Sequence, residues 1–186
     1  YDTFTIDIEK LKAAITPKTK AIIPVHIFGQ CANMEEILKV AKEHGLFVIE
    51  DNAQAIGSDF IFSDGTVKKS GTMGILGTTS FFPSKNLGCY GDGGAIFTND
   101  DELAHKLRGI VNHGMYERYY HDEVGVNSRL DSLQATILRK KLPLLDGYNE
   151  ARRKVADYYD EAFAENPNIV SPRRAVYSTH VFHQYT

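Results

Sequence analysis

Short apolar runs of strand length alternate with amphipathic stretches at helical spacing through about the first 115 residues, and no other feature constrains the fold as tightly. Ala21-Ile22-Ile23-Pro24-Val25, Leu46-Phe47-Val48-Ile49, Thr78-Thr79-Ser80-Phe81-Phe82 and Gly94-Ala95-Ile96-Phe97-Thr98 read as strands. Asp7 caps a short helix carrying Ile8, Leu11 and Ile15. Asn33 with Glu36 resembles a capping box for a second helix, which stops at Gly45. Asn99 and Glu102 frame a third, running through Leu103 and Leu107 to Ile110. Strands separated by helices predict an α/β fold on a mostly parallel sheet. Pro24 cannot donate to a strand ladder, so its run belongs at a strand end or a sheet edge. From Leu130 the pattern changes to two long helical stretches, 129–142 and 147–164, joined near Pro143 and Asp146-Gly147. A possible further strand lies near Val176.

The 186 residues carry 21 Lys and Arg against 24 Asp and Glu, a net charge of −3. That balance offers no basic excess for a nucleic-acid backbone. No run of about 18 apolar residues exists to span a membrane. Tyr1-Asp2-Thr3-Phe4-Thr5 lacks the basic-then-apolar order of a signal peptide. Cys31 and Cys89 have neither CxxC spacing nor the number for a disulfide framework or a metal site. These features together predict a soluble protein of a reducing compartment, the cytoplasm.

Ligands of parallel α/β sheets sit beyond the carboxyl ends of the strands. Asp51 closes the run Leu46–Ile49 there, within Glu50-Asp51-Asn52-Ala53-Gln54, where a carboxylate can pair with a cationic ligand atom. A lone Asp in that place is more often a helix cap. Lys85 lies 34 residues later, on a loop after an apolar strand. Partial desolvation of such an amine lowers its pKa and makes it nucleophilic, although a lone Lys is more often a solvated surface residue. Gly88, Gly91, Gly93 and Gly94 follow, signalling tight turns or close backbone approach to a ligand without forming a GxGxxG motif or a P-loop.

The order acid, hydroxyl, lysine, glycines resembles the DegT/DnrJ/EryC1/StrS family of nucleotide-sugar aminotransferases. These are pyridoxal-phosphate (PLP) enzymes with the aspartate-aminotransferase fold, fold type I. The resemblance runs through Pro24-Val25-His26-Ile27-Phe28-Gly29-Gln30, Ile49–Gly57, Ser80–Asn86 and Gly91–Ala95. It continues through Asn112-His113-Gly114, Gly125–Leu130 and Gln134-Ala135. It implies a partial large domain over 1–142 and, over 143–186, connecting helices and the start of a truncated small C-terminal domain. Lys85 resembles the lysine that holds PLP covalently and later moves the substrate proton. Asp51 resembles the partner of the pyridine nitrogen, Gln54 the amide at the ring's phenolic oxygen, and Ser80 the hydroxyl at the phosphate. Asn127 matches an asparagine reaching the phosphate of a neighbouring subunit, which implies a homodimer with shared active sites. His26 is a candidate for the cofactor pocket or a packed histidine. His113 and Arg129 are candidates for the sugar or its diphosphate, and His183 resembles a segment near the substrate side. Cys89 reads as a small turn residue. Tyr116, Tyr119 and Tyr120 read as packing, with stacking on a base as the alternative.

The implied reaction converts the keto group of a nucleotide-diphosphate sugar to an amine, with L-glutamate as donor and 2-oxoglutarate as its product. The wording Phe81-Phe82-Pro83-Ser84-Lys85-Asn86-Leu87-Gly88 is nearer to relatives acting on 3-keto sugars, a UDP-linked N-acetylated uronic acid for surface polysaccharide foremost. A PLP-dependent sugar dehydratase and a non-catalytic or regulatory relative are the alternatives. The first typically replaces the lysine found here as Lys85. Family members are about twice as long, so the resemblance also implies that segments completing the cofactor site lie outside these 186 residues. The fragment alone is expected to bind PLP poorly and to be inactive.

Overall fold

The computed structural model describes residues 3–186; Tyr1 and Asp2, where the reading of a leaderless start begins, lie outside the described residues. The elements run α1 (Ile8–Ala14), β1 (Ala21–Ile22), α2 (Met34–His44), β2 (Phe47–Asp51), β3 (Asp59–Ile61), β4 (Val67–Lys69), β5 (Leu76–Ser80) and β6 (Gly94–Phe97). They continue with α3 (Asp101–Val111), β7 (Met115–Glu117), β8 (Tyr120–His121), α4 (Ser132–Lys141) and α5 (Leu145–Phe163). The main sheet has the order β1-β2-β5-β6, with the first three strands parallel and β6 antiparallel to β5. β1 is an edge strand, and Pro24 lies just beyond it, as a residue without an N–H requires.

Local chemistry sets most of the boundaries. Asp7 accepts from the Lys10 N–H at 3.0 Å, and Asn33 accepts from that of Glu36 at 3.5 Å. Gly45 ends α2 in the left-handed region, at φ 63°. The cap of α3 is Asp100, which accepts from Leu103 N–H at 3.0 Å, one residue beyond the expected Asn99. β5 begins and ends two residues before the expected run, so Phe81 and Phe82 belong to the loop. Two hairpins, β3–β4 and β7–β8, have no counterpart in the sequence reading. The segment near Val176 makes no strand: Val176 is exposed, and only Ser178 forms a single bridge, to Phe60. Asp146-Gly147 does not interrupt the chain's helical course either. Pro143 sits in one 3₁₀ turn over Leu142–Leu144, and α5 starts at once with Gly147 inside it.

Two apolar clusters fix the sheet. α2 buries Met34, Ile37, Val40 and Ala41 against Ile22, Val48 and Phe60, with Ile8 and Leu11 of α1 and its C-cap Ile15 packed on the rim. Burying such side chains stabilises by roughly 1.5–3 kcal/mol each. The second cluster joins Phe81, Leu87 and Cys89 to Leu138 of α4 and Leu145 of α5, anchoring the loop that carries Lys85.

Candidate active site

β2 and β5 are parallel neighbours with Asp51 opposite Thr78, so their carboxyl ends lie side by side. Asp51 ends the first and Ser80 the second. Asp51 is half-buried; its Oδ1 accepts from Ala53 N–H at 3.0 Å, and Oδ2 has no donor among the described residues. Gln54, in the turn just beyond, accepts from Phe28 N–H through Oε1 at 2.6 Å. Ser80 Oγ accepts from Phe82 N–H at 3.2 Å. Lys85 follows in the turn closed by its own N–H on Phe82 O at 2.9 Å. Its ammonium has no hydrogen bond or ion pair among the described residues.

His26 is fully buried, and both ring nitrogens are engaged. Nδ1 accepts from Ala32 N–H at 3.1 Å, so Nε2 carries the proton and donates to Glu50 Oε2 at 2.9 Å. Neither ring nitrogen remains for a ligand, which favours the packed histidine over one that lines the pocket. Glu50 is the residue that sequence reasoning missed. Its carboxylate also accepts from the N–H groups of Gly71 (2.7 Å), Met73 (2.5 Å) and Gly74 (2.6 Å). Burial raises its pKa, but the His26 bond and the Gly74 and Gly71 N–H groups outweigh that and hold it below the ordinary value. Glu50 thereby locks β2, one residue before Asp51, to the loop that leads into β5.

Lys85 lines a cavity of about 760 Å³ with Asn86, Tyr148, Arg152, Tyr159 and His183. His183 Nδ1 lies 3.3 Å from Asn86 Oδ1. Asn86 donates its amide to Asn149 Oδ1 (2.7 Å) and Val181 O (3.0 Å), which leaves only its oxygen for His183. Burial first, then the charges of Lys85 and Arg152, push the His183 pKa down to about 4. Arg152 is itself held on Phe182 O and His183 O, at 3.0 and 3.3 Å.

The remaining candidates lie elsewhere. Asn127 and Arg129 line a separate cavity of about 890 Å³ with Thr79, Gly94 and Arg108, and Lys85 is not part of it. Asn127 Oδ1 accepts from Arg129 Nε at 3.0 Å, and both side chains are exposed. His113 is exposed at φ 64°, and its carbonyl accepts from His121 Nδ1 at 2.8 Å. Tyr116 stacks on His105 with ring centres 4.6 Å apart, whereas Tyr119 and Tyr120 are exposed. Cys89 is buried and donates to Phe81 O at 3.0 Å, as a turn residue would.

The sequence profile of the DegT/DnrJ/EryC1/StrS aminotransferase family matches residues 1–186. The chain belongs to that family. A Geobacillus stearothermophilus protein named pleiotropic regulatory protein is 53% identical over 186 residues, 99% of this chain and 49% of that one. The UDP-2-acetamido-2-deoxy-3-oxo-D-glucuronate aminotransferase of Pseudomonas aeruginosa is 50% identical over 184 residues, 99% of this chain and 50% of the enzyme. Among solved structures, Streptomyces venezuelae DesV superposes with a TM-score of 0.93 at 41% identity, over 99% of this chain and 48% of DesV. Bacillus subtilis NtdA, solved with its bound cofactor PMP, gives 0.86 at 36% identity over 99% of this chain and 41% of NtdA. The family chain thus spans about half the length of the relatives it matches, and its mixed, mostly parallel sheet is that of fold type I.

The family member's own donor set fits PLP. Asp51, with a carboxylate oxygen unpartnered among the described residues, and the Ser80 hydroxyl end two adjacent strands. The Gln54 amide lies in the turn just beyond β2. The Lys85 amine, likewise unpartnered, lies in the turn after β5 on a cavity that Asp51, Gln54 and Ser80 do not line. Those groups are complementary, in that order, to a pyridinium, a phosphate, a phenolic oxygen and an aldehyde.

Proposed function

We propose that the protein containing this chain is a PLP-dependent aminotransferase that converts the keto group of a nucleotide-diphosphate sugar to an amine, taking nitrogen from L-glutamate. The observation that carries this reading is the placement of Asp51 at the carboxyl end of β2 and of Lys85 in the turn that follows the adjacent parallel strand β5, each with an atom that has no partner among the described residues. PLP supplies an electron sink that stabilises negative charge on the substrate carbon. Asp51 keeps the ring nitrogen protonated, Gln54 donates to the ring oxygen, Ser80 binds the phosphate, and Lys85 carries the substrate proton. Asn127 reaches the phosphate of a second copy, so the working unit is a homodimer. Its exposure outside the Lys85 cavity is consistent with that reach. Arg129, His113 and His183 are assigned to the nucleotide sugar, and the setting is the cytoplasm.

The 3-oxo sugar named for the Pseudomonas aeruginosa relative, at 50% identity, supports a UDP-linked 3-keto sugar as acceptor, and surface polysaccharide is the proposed destination of the product. The name of the Geobacillus stearothermophilus relative favours a regulatory alternative. Retention of Asp51, Gln54, Ser80 and Lys85 weighs against it, and the presence of Lys85 weighs against a dehydratase. The test is turnover by the intact protein with L-glutamate and a panel of 3-keto and 4-keto nucleotide sugars. Amination of a 3-keto sugar is expected. PLP binding without amination of any acceptor would favour the regulatory reading.

A further inference from the structure

The segment Pro24–Gln30 carries part of the family resemblance, yet none of its side chains is assigned to chemistry once His26 proves to be packed. We propose that this segment is a positioning element for Gln54: its Phe28 N–H fixes which way the Gln54 amide faces, while its next residue clamps the strip carrying His183. The inference rests on the reading of Gln54 as a cofactor contact and adds what orients it.

Each end of the segment is tied down, the far one by Gln30, whose Oε1 accepts from Ala175 N–H at 2.6 Å. Asp51 N–H donates to Pro24 O, and His26 N–H donates to Asp51 O, both at 2.9 Å, while the buried His26 ring is held by Glu50 and Ala32. Between these anchors Phe28 takes the left-handed region, at φ 59°. A bulky side chain there is a strained choice that the surroundings must enforce. The consequence is an N–H aimed at Gln54, 2.6 Å from its side-chain oxygen. A backbone N–H can only donate, so the amide oxygen must face Phe28 and the NH₂ must face the other way. A flipped amide would set donor against donor. Gln54 is therefore presented as a donor, the polarity that a phenolic oxygen needs.

Gly29 sets the opposite side of the loop. Its carbonyl accepts from Val181 N–H at 2.8 Å, and Phe28 O accepts from Gln184 N–H at 3.3 Å. At φ 108°, a Cβ on Gly29 would stand 2.8 Å from Phe182 N and 2.9 Å from His183 N. One turn therefore sets both Gln54 and the strip bearing His183, and displacing it moves both.

The test uses the intact protein with PLP and compares Gly29→Ala with Gly45→Ala. Both sites have positive φ, but nothing lies within 4 Å of a Cβ on Gly45. The readouts are the PLP dissociation constant and the pH at which the visible absorbance of bound PLP changes. Gly29→Ala is expected to weaken PLP about tenfold, the worth of one hydrogen bond, and to shift that pH. Gly45→Ala is expected to lower only the melting temperature. If Gly29→Ala does not fold, Phe28→Val, which opposes the left-handed conformation without adding a clash on Gly29, is expected to give the same shift at smaller size. An unshifted absorbance transition in folded Gly29→Ala or Phe28→Val overturns the inference. Gln54→Leu separates the two levels: no spectral change there refutes the assignment of Gln54 itself, whereas a change there with silent loop variants refutes only the positioning role.

Discussion

The surroundings of β2 and the stretch 112–130 both hold polar residues that the family resemblance singles out, yet they are built in opposite ways. Around β2 several polar groups are tied into networks: Glu50 takes four hydrogen bonds, His26 uses both nitrogens, and Gln54 is held by Phe28. In the second region Asn127 and Arg129 bond chiefly to each other on an exposed surface beside a broad cavity. A group that must hold a ring in one orientation gains from a surrounding network that removes its alternatives. A group that serves a second copy must stay on the surface until that copy arrives. The contrast teaches that this chain orients its own polar groups around β2 and leaves Asn127 and Arg129 on the surface, where the proposed second copy would meet them.

Truncating the network should produce the largest effect. Glu50→Ala is expected to cost about 3–5 kcal/mol in chemical denaturation, because it strips a buried charge from partners that have no other acceptor. Its pH dependence has a definite sign. The folded carboxyl lies below the ordinary value of 4.5, so its contribution is fully present above that pH and is lost as pH falls through the folded value. The variant should lose that part of the acid dependence. Gly77→Ala comes next, since a Cβ there would stand 2.0 Å from Gly71 O in the loop that Glu50 holds. A loss of about 1–3 kcal/mol is expected, read in the same denaturation experiment.

The histidines of the C-terminal strip give a smaller, titratable effect. Burial, then Arg174, lowers the His180 pKa to about 4, matching the value for His183. Both are depressed from 6.5, so the unfolded chain takes up protons first and stability declines as pH falls from about 6.5 towards 4. Ring-proton NMR should place both midpoints near 4, well below the ordinary histidine value of 6.5. Asn127→Ala should change stability by less than about 0.5 kcal/mol, as surface substitutions do. In the intact protein it should nevertheless weaken PLP, as the proposed reach to a second copy requires. A stability loss for Asn127→Ala as large as that for Glu50→Ala would erase the contrast between the two regions.

Much of this was legible where the cause is local. The caps Asp7 and Asn33, the stop at Gly45 and the strand ending in Asp51 follow from side chains acting within a few residues of themselves. The order of Asp51, Ser80 and Lys85 likewise survives in one dimension. Glu50 was hidden because three of its partners lie 21 to 24 residues onward in a loop and the fourth, His26, lies 24 residues before it. Its alternation with buried Val48 on one strand face was a usable signal. The β3–β4 hairpin also had a cue in Asp64-Gly65, too short a feature to stand out between strands of three residues each. Phe28 was invisible for a different reason: nothing in a phenylalanine announces a left-handed backbone, which is imposed by the anchors on either side.

Reduction of the PLP-loaded intact protein with borohydride, followed by peptide mapping, tests the central claim most directly. The account predicts a single pyridoxyl group on the peptide bearing Lys85 and its disappearance in Lys85→Ala. A label on another lysine, or none at saturating PLP, would contradict it.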